Sequence, residues 1–341
     1  MTGVRTRGED VRNYNLDHIE KHPADISKIT ANQFGITRQA VNKHLQKLTS
    51  EKALAVTGNT RNKSYRIVPL SQWIKTYKIA PGLAEDAVWR NDISTALNHL
   101  PANVLNIWHY GFTEMFNNAI DHSGGTSIIV QILKTAANSQ ILVSDNGIGI
   151  FKKIQGELDL IDVRHAVFEL AKGKLTTDPK RHSGEGIFFS SRMFDSFTIL
   201  SDGVWFNHKF GDPEDWILEQ KGTSGTAVFM KLNHHTARTT KKVYDQYSAG
   251  EEYGFNQTVV PVKLAQYGAE ALISRSQAKR LLARVELFKK VIFDFSDVNE
   301  IGQAFADEIF RVFANQHPDI QLLATHDNTD VRQMIHRAKL G

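Results

Sequence analysis

The chain has 341 residues, 41% hydrophobic and 23% charged, the balance of an ordinary globular protein and long enough for two or three domains with cores of their own. Its lack of cysteine excludes disulfides, thiolate zinc sites and cysteine catalysis, and with no bilayer-length apolar run and no apolar signal core in MTGVRTRGEDVRNYN, a cytoplasmic protein without membrane contact is expected. Lys and Arg outnumber Asp and Glu 12 to 6 over residues 1–70 but stand 29 to 31 over the remainder, so the basic excess, and with it the expectation of a polyanion partner, belongs to the N-terminal segment.

In chain order, the first periodic segment is DISKITANQFGITRQAVNKHLQKLTSEKAL. Ile26, Ile29, Phe34, Ile36, Val41, Leu45 and Leu48 fit two helical stripes broken at Gly35. Thr37 caps the second helix, which turns Arg38, Gln39, Asn42, Lys43 and Gln46 outward. The stretch ALAVTGNTRNKSYRIVP then predicts two short strands around a turn at 58–62. Helix, turn, helix and basic hairpin together resemble the winged helix-turn-helix family of DNA-binding domains over residues 10–68. The resemblance implies a recognition helix over 37–49 and a wing over 57–66. Arg38, Gln39, Asn42 and Lys43 would then face base edges, and Arg61, Lys63 and Arg66 phosphates. The competing reading is a protein-binding helical module with a solvated basic surface; side-chain types and local charge favour DNA.

From 71 to 245 the pattern is mixed. Helical periodicity covers 84–122, SIIVQILK and SQILVSDNG read as consecutive strands, a polar helical stretch follows, and a helix is predicted over 187–193. SFTILSDGVWFNHKF, DWILEQ and GTAVFMKL alternate like strands of one antiparallel sheet. In the last unit, 246–341, VVPVKLAQY, KKVIFDFSDV and IQLLATH read as strands separated by the helices SRSQAKRLLARVELF and FADEIFRVFANQHP. A βαβαβ order calls for an open sheet with helices packed on it. The expected fold class is thus multidomain α+β, with units 1–70, 71–245 and 246–341.

The chemistry concentrates in GFTEMFNNAIDHS. Asparagine competes with the backbone for hydrogen bonds and is a poor choice inside a helix, so folding alone does not explain two in succession. At about 100° per residue, Glu114, Asn117, Asn118 and Asp121 share one face. Acceptors and amides there suit a hydrated divalent cation that bridges phosphates. Downstream, SDNGIGI sets Asp145 at a strand end with Gly147 and Gly149 placed to let the backbone approach a flat ligand. HSGEGIFFSSR puts Gly184 and Gly186 before a helix, whose free N–H groups suit phosphate, and SGTAVFMKL starts a strand with Thr226.

In this order and spacing, EMFNNAID, DNGIG, GEGIF and GTAVFM resemble the N, G1, G2 and last motifs of the GHKL ATPases over residues 84–235. That family includes type II topoisomerase ATPase domains, mismatch-repair ATPases, histidine kinases and anti-sigma serine kinases. The resemblance implies an α/β sandwich in which a mixed or antiparallel sheet is covered by helices, with ATP and Mg2+ as ligands. By position, Asn118 would coordinate Mg2+, Asp145 would bond the adenine amino group, and Gly147 and Gly149 would shape the adenine wall. Gly184 and Gly186 would end a lid over the triphosphate, Thr226 would support the adenine site, and Glu114 would be the general base. Lys174, Arg181 and His182, in the lid stretch 172–182, are the candidate cations for phosphate, unranked, with His182 read first as a solvated loop imidazole. His109 and His122 are read as packing or hinge residues, and Asn117 has no assigned role. Asp121 is expected to support the adenine-proximal end of the site or the helix terminus.

Departures from the family exclude some of its members. The segment before the N motif is short for a phosphoaccepting helical hairpin and NHLPANV around His99 does not resemble its acceptor motif, so histidine autophosphorylation is not expected. The unit after the nucleotide motifs is too short for a transducer domain. Through VIFDFSDVNEIGQAFADEIFRVF that unit resembles STAS-like domains. Where related domains carry a phosphoacceptor serine this chain reads Gly302-Gln303-Ala304, and Ser296 lies too early, so a docking or dimerisation role with a protein partner is expected. Three functions compete: an ATP-dependent regulator of DNA binding, a serine or threonine protein kinase with Glu114 as base, and a scaffold with a vestigial site. The dimeric habit of the resembled family implies a homodimer.

Overall fold

The structure is a computed structural model and describes residues 7–59, 62–160, 162–175, 184–210, 216–219, 224–248, 254–266 and 270–340. The N-terminal unit opens with α1 (Arg7–His18), α2 (Ile26–Phe34) and α3 (Arg38–Ser50). Gly35 closes α2 in the left-handed conformation, φ 58°, and Thr37 Oγ1 accepts the Ala40 N–H at 3.2 Å to cap α3, as the sequence predicts. β1 (Leu54–Thr57) and β2 (Ser64–Ile67) form the predicted antiparallel hairpin, Leu54 opposite Ile67. Leu16, Ile19, Ile26, Val41, Leu45, Leu48 and Leu54 make its core.

The central unit begins with β3 (Ser71–Lys78), a strand with no counterpart in the sequence reading. Its outward Ile74 and inward Tyr77 spoil the polar-apolar alternation by which strands are recognised. α4 (Glu85–Val88) runs through a π-helical stretch, Trp89–Ile93, into α5 (Ser94–Leu97), and α6 (Ala102–His122) follows. Then come β4 (Ser127–Lys134), β5 (Asn138–Asp145), α7 (Ile150–Glu157), α8 (Val163–Lys172) and α9 (Gly186–Met193). β6 (Ser196–Ser201), β7 (Val204–Lys209), β8 (Trp216–Glu219), β9 (Thr226–Asn233) and α10 (Thr240–Tyr247) complete it. The strands form one antiparallel sheet in the order β3-β4-β5-β9-β6-β7-β8, which sets the ends of β5 and the start of β9 side by side at its centre.

In the C-terminal unit, β10 (Gln257–Pro261), β11 (Lys290–Asp294) and β12 (Gln321–Thr325) form a parallel sheet in sequential order. α11 (Arg275–Leu282), started by a Ser274–Gln277 capping box, crosses from β10 to β11. α12 (Gln303–Asp307), a π-helical stretch Glu308–Phe313 and α13 (Ala314–Gln316) cross from β11 to β12, and α14 (Thr329–Leu340), unforeseen in the sequence, ends the described chain.

The predicted division at 245 separates two secondary-structure patterns but not two cores. One hydrophobic cluster runs from Tyr77 through Trp108, Phe112 and Phe116 of α6 to Phe293, Phe305 and Ala338 of the C-terminal unit. The N-terminal core is separate, and the β4–β5 turn adds Ala136 and Ala137 to it. Lys231 reaches Glu20 at 2.8 Å and Asn233 bonds Asp17, so the N-terminal unit sits on the ends of β5 and β9 remote from Asp145 and Thr226. Among the described residues, no helix is long and apolar enough to cross a membrane.

Candidate functional site

α6 supplies the first wall of a cavity of about 260 Å³. Its Trp108, Phe112 and Phe116 are fully buried against the sheet, and this anchoring fixes the rotation of the helix. Glu114 and Asn118, one turn apart, therefore face the cavity together with Met115, Ala119 and His122. Asn117 does not line it and Asp121 is exposed, although helical geometry groups both with Glu114 and Asn118. The cavity straddles the boundary between the polar and the buried side of α6, so its centre lies nearer Met115. The same rotation brings His122, read from the sequence as a packing or hinge residue, to the site.

The sheet supplies the floor. Asp145, at the end of β5, accepts the Gly147 N–H at 2.9 Å and the Thr226 N–H at 3.3 Å, both on Oδ1, which leaves Oδ2 for a donor in the cavity. Burial raises the Asp145 pKa, against the pull of the Gly147 and Thr226 N–H donors. Thr226 Oγ1 accepts the Ile150 N–H at 2.9 Å, which ties β9 to the first turn of α7. Val143, Ile150, Ile154, Ile199 and Val228 make the surrounding wall apolar. A buried carboxylate between apolar walls fits a flat heterocycle with an exocyclic amino group.

Gly147 and Gly149 do not line this cavity. A Cβ at Gly147 would fall 2.1 Å from the Ser123 carbonyl oxygen, and one at Gly149, where φ is 88°, 2.3 Å from Asp202 Oδ2. Their lack of a side chain lets the β5–α7 turn lie against the end of α6 and the β6–β7 turn, so the contacts they relieve are with protein. Gly184 and Gly186 do line the cavity, and a Cβ on Gly186 would fall 2.0 Å from Glu114 Oε2. α9 thus starts directly against the Glu114 carboxylate, with Gly186, Ile187 and Phe188 of its first turn lining the cavity.

Of the expected cations, Arg181 and His182 lie outside the described residues. Lys174 is placed elsewhere: its ammonium donates to the Leu287 carbonyl at 2.8 Å and stands over the Phe288 ring, 4.7 Å from the centroid. Burial lowers its pKa, against the pull of the Glu185 charge. Among the described residues, the lysine that does line the cavity is Lys153 of α7, which donates to the His122 carbonyl at 3.1 Å. Its signal, a lysine on the amphipathic helix after DNGIG, was present but indistinguishable from a solvated surface lysine.

Around Glu114, Tyr110 and Tyr244 face each other at 5.9 Å between ring centres. Burial, then the Glu114 charge and the bond to Tyr244, keep the Tyr110 hydroxyl protonated well above its ordinary range. Tyr244 comes from α10, the helix that leads to the C-terminal unit.

The C-terminal unit borders the cavity from outside, where its α11 meets the end of α8. Residues 277–332 match the family described as STAS-like domain of unknown function (DUF4325). Comparison with curated proteins gave no match. In the STAS-like unit β11 ends in Asp294, whose Oδ1 accepts the Ser296 hydroxyl at 2.8 Å and bonds His326 Nδ1 at 2.9 Å. Gly302 precedes α12, so no hydroxyl occupies the helix start, in line with the sequence.

In the N-terminal unit Arg38, Gln39, Asn42 and Lys43 are exposed on α3, opposite the buried Val41, Leu45 and Leu48, and Lys63 and Arg66 are exposed on the hairpin. Arg61 lies outside the described residues. All six described side chains are clear of the contact with β9, which uses Asp17 and Glu20. Among the described residues no cluster of three His, Cys, Asp or Glu side chains could hold a metal ion by itself.

Proposed function

We propose that this protein is an ATP-binding regulator in which Mg-ATP binding and turnover in the central cavity are coupled to DNA binding by the N-terminal unit. The observation that carries the reading is convergence. Glu114, Asn118, Asp145, Gly184, Gly186 and Thr226, drawn from separate stretches of sequence, line one cavity. They are also among the residues on which the resemblance to GHKL ATPases rests, Gly147 and Gly149 lying outside the lining.

In this reading Asp145 accepts the adenine amino group, with Thr226 holding the carboxylate in place through its N–H. Asn118 offers its amide oxygen to Mg2+, which when bound with phosphates and water neutralises charge on the triphosphate. Glu114, half-buried and fixed between Gly186 and the Tyr110–Tyr244 pair, orients and deprotonates the group that attacks the γ-phosphate. The first-turn N–H groups of α9 face the phosphates. Arg38, Gln39, Asn42 and Lys43 meet base edges while Lys63 and Arg66 meet phosphates. Coupling is supported by the position of the N-terminal unit on the far ends of β5 and β9, the strands whose near ends carry Asp145 and Thr226. A homodimer belongs to the same reading.

Attack by a partner's hydroxyl instead of water would make the protein a serine or threonine kinase, an alternative favoured by the attached STAS-like unit. Incubation of the full chain with γ-labelled ATP, with and without DNA and candidate proteins, decides: label in free phosphate supports the ATPase, label in protein the kinase. No turnover, together with DNA affinity equal in ATP, ADP and no nucleotide at fixed salt, refutes the regulator.

A further inference from the structure

The joint between the central unit and the STAS-like unit is concentrated on three residues at the end of α8. Lys172 is 1% exposed, yet it carries an ammonium that donates to Glu169 Oε1 at 2.7 Å, to the Ala283 carbonyl at 2.6 Å and to the Arg280 carbonyl at 3.3 Å. Its own carbonyl accepts the hydroxyl of the fully buried Thr258, from β10, at 2.6 Å. Arg284 bonds the Lys174 carbonyl and stands 3.9 Å from Glu169 Oε2. Lys174 in turn donates to Leu287. Between the two lysines Gly173 holds φ 86°, and a Cβ there would strike both Phe255 and Phe188 at under 3 Å.

Residues on either side of this clamp, Leu170 and Leu175, line the cavity, as does Phe188, which packs on Phe255 at 4.5 Å between ring centres; Phe255 packs on Phe288 at 5.2 Å. A wall of the candidate nucleotide site is therefore held by main-chain groups of the STAS-like unit. A buried ammonium needs its acceptors in place, because an unpaired buried charge is far costlier than an exposed one, so the α11 end and the α8 end shift together or not at all.

We propose that the STAS-like unit regulates the nucleotide cavity through this clamp, with Lys172 and Arg284 as positioning residues, so that a change imposed on segment 280–288 changes nucleotide affinity. The proposal rests on the nucleotide reading above. By linkage, nucleotide in the cavity biases segment 280–288 by the same factor, which makes this segment the output surface of the site.

The test uses the full chain, a fluorescent ATP analogue with Mg2+, and three variants. Arg284→Ala is expected to weaken analogue binding about 10-fold, equivalent to about 1.4 kcal/mol, with turnover at saturating ATP within about twofold of the parent. Arg284→Lys, which can still donate to the Lys174 carbonyl, is expected to recover most of the affinity. Lys263→Ala, which removes a pair with Asp297 away from the clamp, is expected to leave affinity unchanged. Without nucleotide, amide exchange over 163–175 is expected to accelerate in Arg284→Ala and not in Lys263→Ala. Unchanged affinity in Arg284→Ala, unchanged exchange, or equal losses in Arg284→Ala and Lys263→Ala each overturn the proposal. A parent chain that binds no analogue overturns the nucleotide reading itself and this proposal with it.

Discussion

Replacing Gly186 by alanine separates stability from chemistry at this site. The new Cβ would lie 2.0 Å from Glu114 Oε2 and 2.8 Å from its Cδ. Ordinary van der Waals contact begins near 3.5 Å, so the carboxylate has to withdraw by more than about 1 Å. Because the obstructed atoms are the far end of a flexible side chain and not backbone, the fold absorbs the change. Gly186 is not at positive φ, so alanine there lowers the entropy of the unfolded chain, worth about 0.4–1 kcal/mol, and the urea midpoint is expected to stay level or rise slightly. A misplacement of about 1 Å in a reacting group costs on the order of 100-fold in rate, and that loss is expected in ATP turnover, with nucleotide affinity held within several-fold. The same substitution in a Glu114→Asp background, where the shorter side chain clears the Cβ, is expected to cost little beyond Glu114→Asp itself. Turnover within threefold of the parent for the single variant would refute the placement of Glu114 as base, and equal additional losses in both backgrounds would refute the clash as the cause.

Asp145→Ala deprives the Gly147 and Thr226 N–H groups of their acceptor, at about 1–3 kcal/mol for each donor left buried and unpaired, and is expected to abolish ATP binding; calorimetry with ATP and a urea melt measure the two effects. Asn118→Ala is expected to leave binding of nucleotide without Mg2+ nearly intact and to remove the gain in affinity that Mg2+ supplies, read by titration with and without the cation. His234 is buried beside Ser139, and desolvation, then the charges of His235, His99 and Lys134, push its pKa down to about 4. A folded pKa below the unfolded one means that the unfolded chain binds more protons in between, so stability is expected to fall as pH drops from about 6.5 to about 4, by at most about 3 kcal/mol, and His234→Gln is expected to flatten that slope in denaturant melts. Lys63→Ala is expected to weaken binding to all DNA sequences alike and to lower the salt slope by about one, whereas Asn42→Ala is expected to change sequence preference; binding at several salt concentrations separates them.

Much of this was legible in one dimension. Thr37 as a cap, Gly35 as a break, the strands 127–134 and 138–145, and the position of Asp145 at a strand end all follow from local rules, because caps, turns and periodicity are decided by neighbours a few residues away. Glu114 and Asn118 could be singled out because two amides inside a helix contradict helix propensity. Periodicity, however, says which side of an element is buried and not what buries it. Only packing showed that the cavity straddles the edge of the α6 stripe, taking in His122 and leaving out Asn117 and Asp121. Gly147 and Gly149 relieve contacts with Ser123 and Asp202, partners more than twenty residues away from them in sequence, and Lys174 turns to a carbonyl at Leu287. Such pairings belong to the folded chain: a lysine reads as a phosphate cation, a solvated side chain or a structural donor until its surroundings are known, and the surroundings of Lys172 and Lys174 are built by residues 280–288. By itself the sequence determined most of the elements and their order, β3 and α14 apart, and which polar residues to suspect; tertiary packing decided which side chains share the cavity and that the STAS-like unit holds one of its walls.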